Sequence, residues 1–360
     1  MADVLPQTCA LIQQGIADRL HLGAQIFVQQ GERIIANLAM GESQSGVAMT
    51  IDTINPWLSA GKPIAAVAIA QLWERGLLDW DDRVAKFIPE FAAGGKEPIT
   101  IRHILTHTAG FRAVIGLRWD DSYEVAIRKI CEARIEPRWV IGQTAGYHPM
   151  TSWYILAEIV HRLDGRVFEQ YVREAIFLPL GMKDSWFAMP ADLYRGYGSR
   201  IGSIYDTSGF EPRLALHGNG EEDAAIVRPG ASGRGPIREL GRFYEMLMKR
   251  GESLIRAETA QLLTEAHRIG SYDLTFKQVM DWGLGFIVNT HSLAEAAYGY
   301  GPHASARTYG HSGNQSSCAF CDPEQKLVVG WFCNGMPGQQ GGEERQRRLN
   351  EAIYADLQMK

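Results

Sequence analysis

Ser59-Ala60-Gly61-Lys62 places a hydroxyl and an amine three residues apart, at the head of the apolar run Pro63-Ile64-Ala65-Ala66-Val67-Ala68-Ile69-Ala70. Residues three apart share a helix face, so the Ser59 hydroxyl and the Lys62 amine can meet. A serine hydroxyl is a weak nucleophile until a neighbouring base takes its proton, and a deprotonated lysine is such a base. A helix start adds free N–H groups and a positive dipole end beside the reacting oxygen. Pro63 suits the first turn, where its missing N–H has no intrahelical acceptor to serve. To act near neutrality the amine must lose its proton far below its ordinary pKa of about 10.4, at a cost of about 4 kcal/mol. Burial beside a dipole's positive end pushes in that direction, and the all-round apolar run predicts burial. The same residues also suit an ordinary helix start with Ser59 as N-cap and Lys62 in water, so the case depends on the rest of the chain.

Other residue patterns point to chemistry more weakly. His103 and His107 stand four apart, as metal ligands on a helix can, but the zinc-protease pattern also needs a glutamate beside the first histidine, and Ile104 is there instead. Cys318-x-x-Cys321 has no second cysteine pair to complete a zinc site. Pro229-Gly230-Ala231-Ser232-Gly233-Arg234-Gly235 approaches Gly-x-Ser-x-Gly, with its last glycine one place late and no strand–turn–helix context. Gly196-Tyr197-Gly198 and Gly202 neither follow a strand nor open a helix, so no dinucleotide site is expected. No cofactor and no metal are expected. The run Arg345-Gln346-Arg347-Arg348 reads as a solvated helix face.

The elements that must position Ser59 follow from periodicity and breakers. Helices are expected over 7–20, about 60–75 with a stop at Gly76, 100–105, 121–133, 151–163, 167–177, 237–249 and 343–357. Residues 24–30 and 33–40 flank Gly31-Glu32 and predict a β-hairpin. Strands are expected again over 285–288, 316–321 and 327–333. Residues 79–90 look polar and irregular. Residues 190–235 show no period, as lids and site-lining loops often do not, and are the expected seat of specificity. Strands at both ends and helices between them predict an α+β fold: one antiparallel sheet built from both chain ends, flanked by helices, with a mostly helical region inserted. A single catalytic unit over 1–360 is expected, its sheet part from about 1–55 and 270–360 and its helical part from about 60–265.

The chain has 360 residues, 46% of them hydrophobic and 21% charged, an ordinary globular composition. A net charge of −5 gives no electrostatic reason to expect nucleic acid or an anionic membrane as partner. No stretch approaches a spanning helix of about 20 apolar residues. Met1-Ala2-Asp3-Val4-Leu5-Pro6 has no basic segment followed by an apolar one, and five cysteines suit reduced thiols, so a cytoplasmic location is expected. The pattern is silent on oligomeric state.

An ordered series of motifs resembles the serine β-lactamase-like superfamily: class C β-lactamases, D-stereospecific peptidases, and family esterases and transacylases. It runs through Leu58-Ser59-Ala60-Gly61-Lys62, Ile101-Arg102-His103-Ile104-Leu105-Thr106-His107-Thr108-Ala109-Gly110, Gly142 to Tyr147, Leu178-Pro179-Leu180-Gly181-Met182, Trp282-Gly283-Leu284-Gly285-Phe286 and Tyr309-Gly310-His311-Ser312-Gly313. Ser-x-x-Lys is the nucleophile signature of β-lactamases and penicillin-binding proteins. The resemblance implies a β-lactamase/transpeptidase-like fold and an acyl-enzyme on Ser59. Lys62 and Tyr147 would share the proton work, and His311 would orient Tyr147 or steady its proton. The backbone N–H groups of Ser59 and Asn314 would form the oxyanion hole, and Gly313 would give the substrate room at the strand. Trp57 and Trp153 are candidates for an apolar acyl pocket, and His148 is a further substrate-side candidate.

Two positions depart from the family pattern. Tyr147-His148-Pro149 replaces the asparagine of Tyr-x-Asn, and Pro149 has neither a side-chain hydrogen-bonding group nor a backbone donor. His311 replaces a permanent cation with a group that can be neutral at pH 7. Both changes point away from β-lactams and carboxylate-bearing peptides and toward esters or less polar amides. The implied partners are a small-molecule acyl donor and a water, alcohol or amine acceptor, with a D-amino-acid peptidase as one alternative. A ligand-binding relative weakened in catalysis is another.

Overall fold

The structure, a computed structural model, describes residues 4–289 and 299–359. Its largest element is an eight-stranded antiparallel sheet. Strands β1 (Gly23–Gln30), β2 (Arg33–Gln44) and β3 (Val47–Ala48) form one side. β1 then pairs with the Leu327–Cys333 strand in register Ala24↔Cys333 to Gln30↔Leu327. Outward from there come Ser317–Asp322, Tyr309–Gly313, Ile287–Val288 and Asp281–Trp282. The β1–β2 turn needs a left-handed residue, and Gly31 supplies it with φ 58°. The central strands Ser317–Asp322 and Leu327–Cys333 are buried at every position, because helices cover both faces. On one face lie α1 (Pro6–Ala17) and the terminal helix Gln339–Asp356, and on the other lies Ile237–Met248.

The helical region surrounds α2 (Lys62–Glu74), which is buried from Lys62 to Ala70. Its alanines let neighbours approach closely; the Ala66 methyl leaves no room for a side chain at Gly285. The Thr151–Asp164 helix packs beside α2, buried from Thr151 to Val160. Together α2, this helix and the sheet form one apolar core that holds the start of α2 in place.

Several sequence expectations need correction. The strand expected over 285–288 shortens to Ile287–Val288, because Gly283 to Phe286 form a turn with Gly285 at φ 85°. Tyr309–Gly313 is a strand that alternation cannot reveal, since all five residues are buried. The terminal helix starts at Gln339, four residues before the expected 343, through two glycines that intrinsic propensity disfavours. Residues 79–90 hold a 3-10 turn at Val84–Lys86, and another begins at Pro89. Residues 190–235 are more structured than their lack of period suggests. They contain helices Ala191–Tyr197 and Glu221–Ala225 and a Tyr205–Asp206 strand that pairs in parallel with Gly335–Met336.

Candidate active site

The turn that carries Ser59 is built from both sides. Asn55–Pro56 pairs with Arg234–Gly235, and the Trp57 N–H donates to the Gly233 carbonyl at 2.7 Å. The Trp57 indole donates to the Gly235 carbonyl at 2.9 Å, and Ser317 Oγ donates to the Trp57 carbonyl at 2.6 Å. Leu58 then takes φ 52°, a left-handed conformation that a branched side chain adopts at a cost of about 1–2 kcal/mol. That forced bend opens a 3-10 turn, Leu58–Gly61, and lifts Ser59 into a cavity before α2 begins at Lys62. Ser59 therefore precedes the α-helix in a tighter turn; the i, i+3 proximity survives because a 3-10 turn brings residues three apart together.

Lys62 Nζ lies 2.7 Å from Ser59 Oγ and also donates to the Gly230 carbonyl. The Lys62 side chain is fully buried, and that burial pushes its pKa well below that of a solvated lysine. The faces of Tyr147 and Trp153 stand 5.4 and 5.5 Å from Nζ. The Tyr147 hydroxyl donates to Ser59 Oγ at 2.9 Å. Ser59, Lys62 and Tyr147 thus converge on one oxygen.

Tyr147 is held by residues that no motif points to. Its N–H donates to Asp273 Oδ1 at 3.0 Å, and Thr275 Oγ1 donates to its carbonyl at 2.8 Å. Asp273 Oδ1 also accepts the Thr275 and Phe276 N–H groups, while Oδ2 pairs with Arg268 at 2.9 Å. The ring stacks on Phe276, with centroids 4.8 Å apart. Gly230 is equally silent in sequence, since a carbonyl acceptor leaves no residue-type signal. The glycines at 230, 233 and 235 are the hint, because they let this segment lie against Trp153 and Trp57.

His311 sits on the strand beside the turn that carries Ser59 and is 1% exposed. Its Nδ1 lies 2.7 Å from the Ser312 carbonyl, which can only accept, so Nδ1 carries the proton and Nε2 a lone pair. Burial first, and the Lys62 charge second, push its pKa down to about 3. Its ring centroid is 5.8 Å from that of Tyr147, and its Nε2 has no hydrogen-bond partner among the described residues.

Four candidates take places other than those expected. Trp57 and Trp153 are fully buried, and the Trp153 indole donates to the His148 carbonyl at 3.2 Å, so both brace the site and neither lines the cavity. His148 is also fully buried, and its Nε2 accepts the Gly110 and Phe111 N–H groups at 3.1 and 3.2 Å. Gly313 provides no substrate room: a Cβ there would stand 2.3 Å from the Trp57 carbonyl oxygen, so the glycine lets the strand approach the turn that carries Ser59. Asn314 follows in the turn after the strand, exposed and lining the cavity with Ser59. His103 and His107 are likewise taken up by structure. His103 Nδ1 accepts the Thr100 N–H at 3.2 Å, and His107 Nδ1 accepts the His148 N–H at 3.1 Å.

The cavity above Ser59 measures about 910 Å³. Trp119, Met150, Leu216, Phe276 and Met336 give it apolar walls, and Pro149 lies on its surface. Asp206, Ser208, Ala215, His217 and Ala231 also line it.

The profile of the Beta-lactamase family matches residues 10–353. The chain belongs to that family. Among solved structures, a penicillin-binding protein homolog from Caulobacter crescentus superposes on this Beta-lactamase family member with a TM-score of 0.82 at 28% identity, over 99% of this chain and 98% of the other. A penicillin-binding protein of Bacillus subtilis (strain 168) is 29% identical over 134 residues, which cover 35% of this chain and 29% of the relative. Esterase EstB of Burkholderia gladioli is 29% identical over 201 residues, covering 49% of this chain and 50% of the relative. The matches thus span half or less of the length of these two curated relatives. The α+β architecture is that of the family. Among the described residues, no helix is long and apolar enough to cross a membrane.

Proposed function

We propose that the protein is a serine hydrolase or acyltransferase that forms an acyl-enzyme on Ser59 from a small-molecule ester or less polar amide. The observation that carries this reading is the meeting of Lys62 Nζ and Tyr147 Oη on Ser59 Oγ, at 2.7 and 2.9 Å, beneath a cavity of about 910 Å³. Neutral Lys62 takes the Ser59 proton as Oγ attacks the carbonyl. The oxyanion rests on the N–H groups of Ser59 and Asn314, each such donor lowering the barrier by about 3 kcal/mol. The proton returns through the Tyr147 hydroxyl to the departing alcohol or amine. Water, an alcohol or an amine then attacks the acyl-enzyme, with its proton taken by the same pair.

Two features favour esters over carboxylate-bearing peptides. Pro149 brings no amide side chain to the cavity, and the Gly230 carbonyl gives Lys62 the second partner that the family asparagine would provide. His311, neutral through burial, offers no cation to a substrate carboxylate. The relationship to an esterase agrees with this choice. A cytoplasmic setting fits five unpaired, buried cysteines.

The test is intact mass after treatment with a fluorophosphonate, and separately with a 4-nitrophenyl ester, for wild type and Ser59→Ala. One adduct on wild type and none on the variant is expected. A folded wild-type protein that takes no adduct would refute the Ser59 mechanism.

A further inference from the structure

Part of the cavity wall, Trp119 and His217, belongs to a stack of three planar groups from three separate segments, with Arg228 behind it. The Arg228 guanidinium lies 4.3 Å from the centroid of the Trp119 ring, and the His217 ring lies 4.8 Å from it at an interplanar angle of 23°. Both Trp119 and His217 line the cavity, and His217 is the exposed outer layer.

The stack is held far more firmly than surface loops require. Arg228 is 1% exposed; its Nε donates to the Trp119 carbonyl at 2.7 Å, and its guanidinium pairs with Asp223 at 3.0 Å. Asp223 in turn accepts the Trp119 indole N–H at 2.6 Å and the Gly218 N–H, next to His217, at 3.0 Å. One buried ion pair therefore fixes both the ring and the backbone beside the outer layer. Burying such a pair gains little stability, and its product here is a defined orientation. A flat ring held in place, with apolar Leu216 and Met150 on the same cavity, suits a flat apolar group.

We propose that His217, backed by Trp119 and Arg228, is a stacking platform that selects substrates carrying an aryl group. Asp223 and Arg228 are its positioning residues. The assignment rests on the acyl-transfer reading of the Ser59 site for its kinetic form, while the binding itself does not require turnover.

The test compares matched probes that differ only in ring flatness. Ethyl phenylacetate and ethyl cyclohexylacetate place the ring in the acyl part; phenethyl acetate and 2-cyclohexylethyl acetate place it in the alcohol part. A three- to tenfold preference in kcat/KM for the aryl member is expected in one pair, the usual reach of aromatic stacking. His217→Leu should abolish the preference and His217→Phe should retain it. The same four esters are titrated into Ser59→Ala protein, followed by tryptophan fluorescence, and the aryl member of the same pair should bind with the lower Kd. Loss of all turnover with the binding preference intact would refute the acyl-transfer reading and leave the platform standing. Equal binding of aryl and cyclohexyl probes in both pairs, or a preference unchanged in His217→Leu, would overturn the platform.

Discussion

Asp273 separates two tasks between its two oxygens, and that division can be tested by substitution. Oδ1 accepts the N–H groups of Tyr147, Thr275 and Phe276, and so shapes the turn that holds the Tyr147 backbone. Oδ2 faces Arg268, whose side chain is 5% exposed. Asp273→Asn keeps an oxygen for the three donors and sets an amide N–H₂ against the guanidinium. Breaking a buried pair in this way costs about 3–5 kcal/mol. For a chain of this length the unfolding entropy converts that loss to a fall in Tm of about 4–7 °C. Activity should suffer less, with kcat/KM for a 4-nitrophenyl ester staying within about threefold, because Tyr147 keeps its anchor. Asp273→Ala removes both tasks. Its Tm should fall at least as far, and a Tyr147 hydroxyl displaced by about 1 Å should cost about 100-fold in kcat/KM. Calorimetry and steady-state kinetics on the two variants decide the matter. Equal loss of activity in both, or an unchanged Tm in Asp273→Asn, would refute the division.

Other expectations follow from the same geometry. Between the depressed folded pKa of Lys62 and the roughly 10.4 of the unfolded chain, the unfolded chain binds one more proton, so stability rises with pH across that window. Lys62→Met should abolish activity, raise stability at pH 7 and flatten that rise in denaturant titrations. His21, His148 and His311 are held to about 3 by burial, so stability should drop as pH falls below about 6.5, when the unfolded histidines take protons. The urea midpoint between pH 7 and 4 measures this, and an unchanged midpoint would count against neutral burial of the three rings. Gly313→Ala drives a methyl to within 2.3 Å of the Trp57 carbonyl oxygen, and should cut kcat/KM at least tenfold by shifting the turn that carries Ser59. Wild-type kinetics in that variant would show that the strand and the turn can separate without consequence.

The legible part of the site was the part written in residue types at short range. Ser59 and Lys62 lie within one turn, and the apolar run after them announces a buried helix. The hairpin was legible because Gly31 marks its turn. What stayed hidden was carried by backbone atoms or by contacts across the chain. The Gly230 carbonyl on Lys62 has no residue signature, and Asp273 reads as an ordinary loop aspartate until the Tyr147 N–H is seen on it. Trp57 and Trp153 show the opposite error, since nearness to a motif in sequence suggested a pocket where the structure uses the indoles as braces. Strands buried at every position, such as Tyr309–Gly313, lose the alternation that reveals half-buried ones.

The place of β1 in the sheet also sets a schedule for biosynthesis. β1 pairs with β2 at once, but its other neighbour, Leu327–Cys333, leaves the ribosome some three hundred residues later. The strand bearing His311 reaches the sheet only through that late neighbour and Ser317–Asp322. Until then the nascent chain carries Ser59 and Lys62 with one flank of their turn missing and an open strand edge exposed. A nascent chain that has not yet reached Leu327 thus leaves one edge of β1 unpaired and the turn that carries Ser59 without the strand beside it, an arrangement prone to wrong edge pairing.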